Sequence, residues 1–196
     1  MKRIHLTLVL VTMFCMAAFA GAAGASPAGM MEINAGYAKS SNDVTVNNES
    51  MGGGIAFGAG YWRSASPSIM WGGEISYDNL GSVDYNNGTS TTTFSSHTLR
   101  FCPAMRMNFG ASTGPNFFAQ GGMGLYSVGS KVEDPTSTPT SLSSSTSKFG
   151  FNLGAGVGFP VGPKTKMNVM GQWHSVATEG ETLHYLAFRA GMCFNL

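Results

Sequence analysis

A spacing of two restricts this chain more than any other feature. Phe149, Phe151, Leu153, Ala155, Val157 and Phe159 share one parity, while Lys148, Gly150, Asn152, Gly154, Gly156 and Gly158 share the other. Successive side chains of a strand point to opposite faces, so this stretch is a strand with one very apolar face and one small, polar face. Its glycines do not form a dinucleotide-binding loop. The last position of a G-x-G-x-x-G fingerprint falls on Phe159, and Pro160 and the Gly162-Pro163 pair end the segment before any helical period begins.

The same alternation recurs about every twenty residues, giving eight such segments. The apolar parity holds Met31, Ile33, Ala35 and Tyr37; Ile55, Phe57, Ala59 and Tyr61; Trp71, Gly73, Ile75 and Tyr77; and Leu99, Phe101, Pro103, Met105 and Met107. It continues with Phe117, Ala119, Met123 and Leu125; the stretch already described; Met167, Val169, Gly171 and Trp173; and Leu186, Phe188, Ala190, Met192 and Phe194. None of these positions is charged. The strand charges fall on the other parity: Glu32, Glu74, Asp78, Arg100, Arg106, Lys148, Lys166 and Arg189. A soluble sandwich or lipocalin turns its polar face outward, whereas this pattern fits the inverse, with a charge-free outside against lipid and a polar inside. Trp62, Phe118, Tyr126 and Met170 break the rule and have to pack into the interior or sit near its rims.

Connection lengths point the same way. Residues 40–50, 78–93 and 129–147 are long and polar, whereas SASPS, FGASTGP and VGPK between the other neighbours are short. Alternation of long and short is the asymmetry of an outer-membrane barrel, with short periplasmic turns and long external loops. The last external connection, ATEGET near 177–182, departs from it by being short. Segments of roughly 9 to 13 residues suit a tilted crossing of the bilayer. Only 11% of the residues are charged, against about 25% in an ordinary soluble domain. The 11 basic and 10 acidic residues nearly cancel, which gives nucleic acid nothing to bind.

The N-terminus reads as an export signal: Lys2 and Arg3, an apolar run from Leu6 to Ala20, and a small-residue cleavage site at Ala23-Gly24-Ala25. This divides the chain into a signal peptide at residues 1–25 and one barrel domain at 26–196. Cys15 leaves with the signal, and the remaining Cys102 and Cys193 are expected as two separate buried thiols.

With these features in place, the chain resembles the small outer-membrane β-barrel superfamily of the OmpA, OmpX and opacity-protein type, over about residues 28–196. The C-terminus RAGMCFNL carries the likeness furthest: Arg189, Gly191, Met192 and Phe194 match that family's insertion signal, and the chain runs on to Asn195 and Leu196. The resemblance implies an eight-stranded antiparallel transmembrane barrel in a bacterial outer membrane, surrounded by outer-membrane lipids and read by the barrel-assembly machinery during insertion.

For chemistry, the interior charges are the first candidate. An eight-stranded barrel is only wide enough for side chains to fill it, so Glu32, Glu74 and Asp78 are expected to pair with Arg100, Arg106, Lys148, Lys166 and Arg189 rather than to line an open pore. The many interior glycines, among them Gly58, Gly60, Gly122, Gly124, Gly154 and Gly156, argue the other way by leaving space for water or a small ligand. Some members of the resembling superfamily modify lipid A, and His174-Ser175 with Glu179 or Glu181 is the one trio to weigh for such catalysis. Neighbouring strand residues diverge, however, so nucleophile and base do not meet. His97, His174 and His184 lack a metal-ligand spacing, and no cofactor motif is present. The long loops, rich in Ser, Thr and Asn with few aromatic anchors, suit a solvated external surface whose ligand or partner the sequence does not name. The expectation is a non-enzymatic envelope protein. A narrow pore or small-ligand or lipid-binding barrel is the alternative, and a lipid A-modifying enzyme the remote one.

Overall fold

The structure, a computed structural model, describes residues 29–41, 45–46, 49–50, 52–86, 91–110, 114–133, 142–178 and 182–196. The expected signal peptide and its cleavage site lie outside these residues, as do Glu179 and Glu181. Eight long strands form the molecule: β1 (Gly29–Ser40), β2 (Gly53–Ser64), β3 (Ile69–Asn86), β4 (Thr91–Phe109), β5 (Asn116–Glu133), β6 (Leu142–Gly162), β7 (Thr165–Ala177) and β8 (Thr182–Asn195). Each pairs antiparallel with its chain neighbours, and β1 closes the ring against β8 from Met30↔Asn195 to Ser40↔Tyr185. Closure leaves no free sheet edge inside the bilayer, which is the condition for spanning a membrane with strands; between β4 and β5 the pairing skips Cys102 and Pro103, and proline has no N–H to give. A short hairpin, Thr45–Val46 with Glu49–Ser50, lies in the connection between β1 and β2.

Parity sorts the side chains as the sequence predicts. Ile33, Ile55, Phe117 and Phe188 are 57%, 66%, 67% and 62% exposed, while Glu32 and Arg100 on the opposite parity are each 1% exposed. Trp62, Phe118, Tyr126 and Met170, the four exceptions, all point inward and are buried. On β6 the outward aromatics Phe149 and Phe159 bracket the belt. Ten residue steps at about 3.3 Å each, tilted by about 40°, rise about 25 Å, the height of a barrel's apolar band. The inward-facing Cys102 and Cys193 are both free and belong to different buried clusters.

One expectation is corrected by the ladders. The segments 78–93 and 129–147, read as loops, are largely strand, and β3 to β6 run for 18 to 21 residues instead of 9 to 13. Between β3 and β4 pairing continues to Asn86↔Thr91, and between β5 and β6 to Val132↔Leu142. Serine- and threonine-rich strands need no apolar face once their backbone groups pair with a neighbour, so composition that reads as loop is compatible with sheet. These four strands rise past the belt as a polar sheet. Its two sides differ. The β2–β3 ladder stops at Ala56↔Asp78, where a bulge between Asn79 and Gly81 follows. The β6–β7 ladder begins only at Gly150↔Val176, so among the described residues Leu142–Phe149 pairs on its β5 side alone.

Candidate functional site: the charged interior

The interior is built in layers along the barrel axis, starting at the short-turn end. Glu32 of β1 accepts hydrogen bonds from Trp62 Nε1 (3.1 Å), Arg106 Nη2 (2.6 Å), Asn168 Nδ2 (2.8 Å) and Asn34 Nδ2 (3.3 Å). The Arg106 guanidinium lies between two rings, its Cζ 4.2 Å from the centre of Trp62 and 4.4 Å from that of Phe118. Stacking of this kind suits a planar, weakly hydrated cation. Arg106 Nε also donates to Gln120 Oε1 (3.0 Å), and Gln120 Nε2 donates to Glu74 Oε1 (3.0 Å), which joins the first layer to the second.

In the second layer, Arg100 donates from Nη1 to Glu74 Oε2 (3.1 Å), from Nη2 to Gln172 Oε1 (3.1 Å) and from Nε to Ser76 Oγ (2.6 Å). Arg189 binds Asp78 and Gln172, and Asp78 also accepts from Tyr185 Oη (3.0 Å) and Ser76 Oγ (3.3 Å). Three carboxylates therefore meet three arginines, all of them nearly inaccessible to solvent. Pairing on this scale is what makes ions tolerable in so dry a place.

A third layer is aromatic. The rings of His174 and Tyr185 stack at 4.2 Å with 5° between planes, and His174 Nδ1 lies 3.2 Å from Tyr126 Oη. Leu80, Val176, Ala38, Ala56 and Ala187 pack above, with Val128 and Leu183 against them. A cavity of about 240 Å³ lies beyond this plug at the long-strand end, and another of about 210 Å³ opens at the short-turn end.

The structure thus brings Glu32, Glu74, Asp78, Arg100, Arg106 and Arg189 into one network and leaves two of the sequence-predicted residues out of it. Lys148 lines the outer cavity and Lys166 the inner one. Among the described residues no carboxylate stands within ion-pairing distance of Lys166, because Glu32, Glu74 and Asp78 are taken by the arginines. Gly191, Met192 and Phe194 follow Arg189 along β8, with Met192 and Phe194 half-exposed on the belt. A Cβ on Gly191 would lie 2.6 Å from the Ile33 carbonyl, so glycine has a packing reason there as well.

The glycine reading is also corrected. A Cβ on Gly60 would meet Trp62 Nε1 at 3.0 Å, on Gly150 the Tyr126 ring at 2.9 Å, and on Gly156 Phe118 Cζ at 2.5 Å. These glycines make room for the interior's own large side chains, not for water. Ser76, Thr98 and Tyr185 complete the network and were missed, although each shares the inward parity that singled out its charged neighbours. His174 and Ser175 do not form a pair: the ring is held by Tyr126 and Tyr185. Among the described residues no three His, Cys, Asp or Glu gather as a metal site.

The outer membrane protein beta-barrel domain family matches residues 6–192. No protein of curated function matches the sequence. Among solved structures, Neisserial surface protein A is similar at 12% identity, covering 88% of this chain and 99% of its own, with a TM-score of 0.55. A major outer membrane protein from Thermus thermophilus is similar at 10% identity, covering 87% and 100%, with a TM-score of 0.59. The attachment invasion locus protein Ail of Yersinia pestis, in complex with the heparin analogue sucrose octasulfate, shows 15% identity, 86% and 99% coverage and a TM-score of 0.51. At these identities the likeness is one of fold.

Proposed function

We propose a role for this chain from the premise that it belongs to the outer membrane protein beta-barrel domain family and lies in the bacterial outer membrane: it is a non-enzymatic surface protein. Its barrel is a membrane platform held by outer-membrane lipids and inserted by the barrel-assembly machinery through Arg189, Gly191, Met192 and Phe194. Its contacts are made by the strands and connections that rise past the apolar belt.

The observation that carries this reading is the closed interior. From Glu32 to Leu80 the space is occupied by paired charges, stacked rings and an apolar plug, which supports a wall rather than a passage. The sheet of β3 to β6 supports external contact, since it places a polar, largely hydroxyl-bearing surface where a partner can reach it. Against catalysis stands the His174 ring, stacked on Tyr185 and held at Nδ1 by the Tyr126 hydroxyl. A second reading, a narrow passage, draws support from the two end cavities, which approach the network from opposite sides.

Planar-bilayer recording and lipid A mass spectrometry separate the three. The platform reading expects no steady conductance from the purified barrel and no change in the mass of lipid A incubated with it. A steady conductance that rises on Arg100→Ala or Arg106→Ala would mean that the interior plugs a real pathway, and the platform reading would be abandoned.

A further inference from the structure

Within the layered network the charges balance, and toward the short-turn end one cation remains outside it. Glu32, Glu74 and Asp78 are matched by Arg106, Arg100 and Arg189, and Lys166 is left over. Among the described residues it has no carboxylate within 4.0 Å. It lines the cavity of about 210 Å³ at the short-turn end, together with the Arg106 guanidinium and the amides of Asn108, Asn116 and Asn168. Among the described residues no Asp or Glu lines that cavity. Its lining therefore sets the Lys166 ammonium, one uncompensated positive charge, beside the Arg106 guanidinium and three amides, of which Asn116 Nδ2 donates to Asn108 Oδ1 and Asn168 Nδ2 to Glu32 Oε1.

The floor is rigid, and its charge is already matched by Glu32. Arg106 is clamped between Trp62 and Phe118, tied to Glu32 and Gln120, and only 2% exposed. A donor that is already immobile loses little entropy when a ligand arrives. The volume exceeds that of a single water several-fold, at about 30 Å³ of liquid per molecule. An anion entering this space trades water for charge-assisted hydrogen bonds, which are the stronger kind.

We propose that this cavity binds a small oxyanion, a phosphate or a carboxylate group, presented from the periplasmic side, with Lys166 as its charge partner. Phosphate in solution and the phosphate of an inner-leaflet lipid headgroup offer the same chemistry, and the experiment tells them apart.

Cys193 lines the same cavity and reports on its occupancy, while Cys102 is fully buried in another cluster. The mature chain, refolded in a maltoside detergent that carries no phosphate, is alkylated with iodoacetamide at constant ionic strength while inorganic phosphate, acetate or chloride is titrated. Alkylation of Cys193 is expected to slow several-fold and saturably with phosphate and acetate but not with chloride. Lys166→Gln abolishes the saturation, whereas Lys164→Gln, in the exposed turn beside it, leaves it in place. In vesicles of phosphatidylglycerol, protection already present without added phosphate assigns the site to the lipid headgroup, and its absence there assigns it to the free ion. Broadening of the phosphate resonance in phosphorus NMR, lost in Lys166→Gln, serves as a second readout if the thiol reacts too slowly. Each variant is checked for the folded gel mobility before it is used. No saturable protection together with no broadening, or identical behaviour in Lys166→Gln, overturns the proposal and leaves a cavity that holds water only. The platform reading is untouched by that failure, because conductance does not depend on it.

Discussion

Leu153 and Gly156 stand three residues apart on β6 and face different surroundings. Leu153 is 57% exposed, midway between Phe149 and Phe159, and so sits near the middle of the lipid belt. Leu153→Arg is expected to cost about 2–4 kcal/mol, the range for a cation on the lipid face near the midplane. Gly156→Ser fails for another reason. Its Cβ would lie 2.5 Å from both Phe118 Cζ and the Val169 carbonyl, an overpacking of the kind that costs about 1–3 kcal/mol. Urea unfolding in vesicles measures both, and a Gly156→Ser variant as stable as the parent would show that the interior is looser than these distances imply. Glu32 sharpens the point about charge. Glu32→Ala removes the carboxylate that Arg106, Trp62 and Asn168 all address, and the stranded cation makes a loss of about 3–5 kcal/mol the expectation. Glu32→Gln keeps an acceptor in place and should lose less; the same assay giving the opposite order would refute this account of the layer.

Among the elements, β3 and β6 show how a strand ends its membrane duty and continues. At the bulge of β3, Gly81 has a φ of 100°, and Asn79 Oδ1 accepts the Gly81 N–H at 2.9 Å. A Cβ at this position would run into the Gly52 carbonyl. Any L-residue here is strained, and Gly81→Ala is expected to destabilise by about 1–2 kcal/mol from the left-handed backbone alone. On β6 the eight residues from Leu142 to Phe149 contribute hydroxyls and main-chain pairing to β5, but little to the interior network. Joining Ser130 to Ser144 by a two-residue Asn-Gly turn in place of residues 131–143 should therefore leave the heat-modifiable gel shift of the barrel intact. Loss of the folded band in that variant would mean that the protruding hairpin is needed for closure, not merely carried by it.

For the whole molecule, charge is distributed in three zones. At the long-strand end the described residues hold Lys39, Lys131 and Lys148 against Glu49, Asp84 and Glu133, and the sequence of the intervening connections adds Asp43, Asp134, Glu179 and Glu181. The interior is neutral, and the short-turn end carries Arg63, Lys164 and Lys166 with no acidic side chain. An outer surface with excess negative charge repels polyanions beyond contact range, weakened by salt over about 8 Å at physiological ionic strength. Sulfated polysaccharide columns at that ionic strength should accordingly not retain the protein, and retention that survives neutralisation of Lys131 and Lys148 would overturn this picture. Orientation follows from the same map. An impermeant amine reagent applied to intact cells is expected to label Lys131, which is half-exposed and paired with Glu133, and to spare Lys164 in the opposite turn. Labelling of Lys164 alone would invert the barrel.

The wall of this barrel was legible in the amino-acid sequence because the side-chain period of a strand is two and lipid tolerates no charge. One parity of eight segments had to be bare, and the positions of Ile33, Phe57, Met105, Leu153 and Phe188 follow from that alone. The same rule placed Glu32, Arg100 and Arg189 inside, and forced Trp62, Phe118 and Tyr126 in with them. Alternating connection lengths were also readable, although the boundary between strand and loop was not. Hydroxyl-rich segments such as residues 142–147 have no apolar period, and only a paired neighbour tells them from coil. Everything that depends on which strands face one another across the interior had to wait for closure. Arg106 meets Glu32 across 74 positions of chain, and Arg189 meets Asp78 across 111. Parity says that such charges share a space, but register and ring geometry choose the partners. For the same reason Gly156 is a slot for Phe118, and Lys166 is, among the described residues, the interior cation left without a carboxylate.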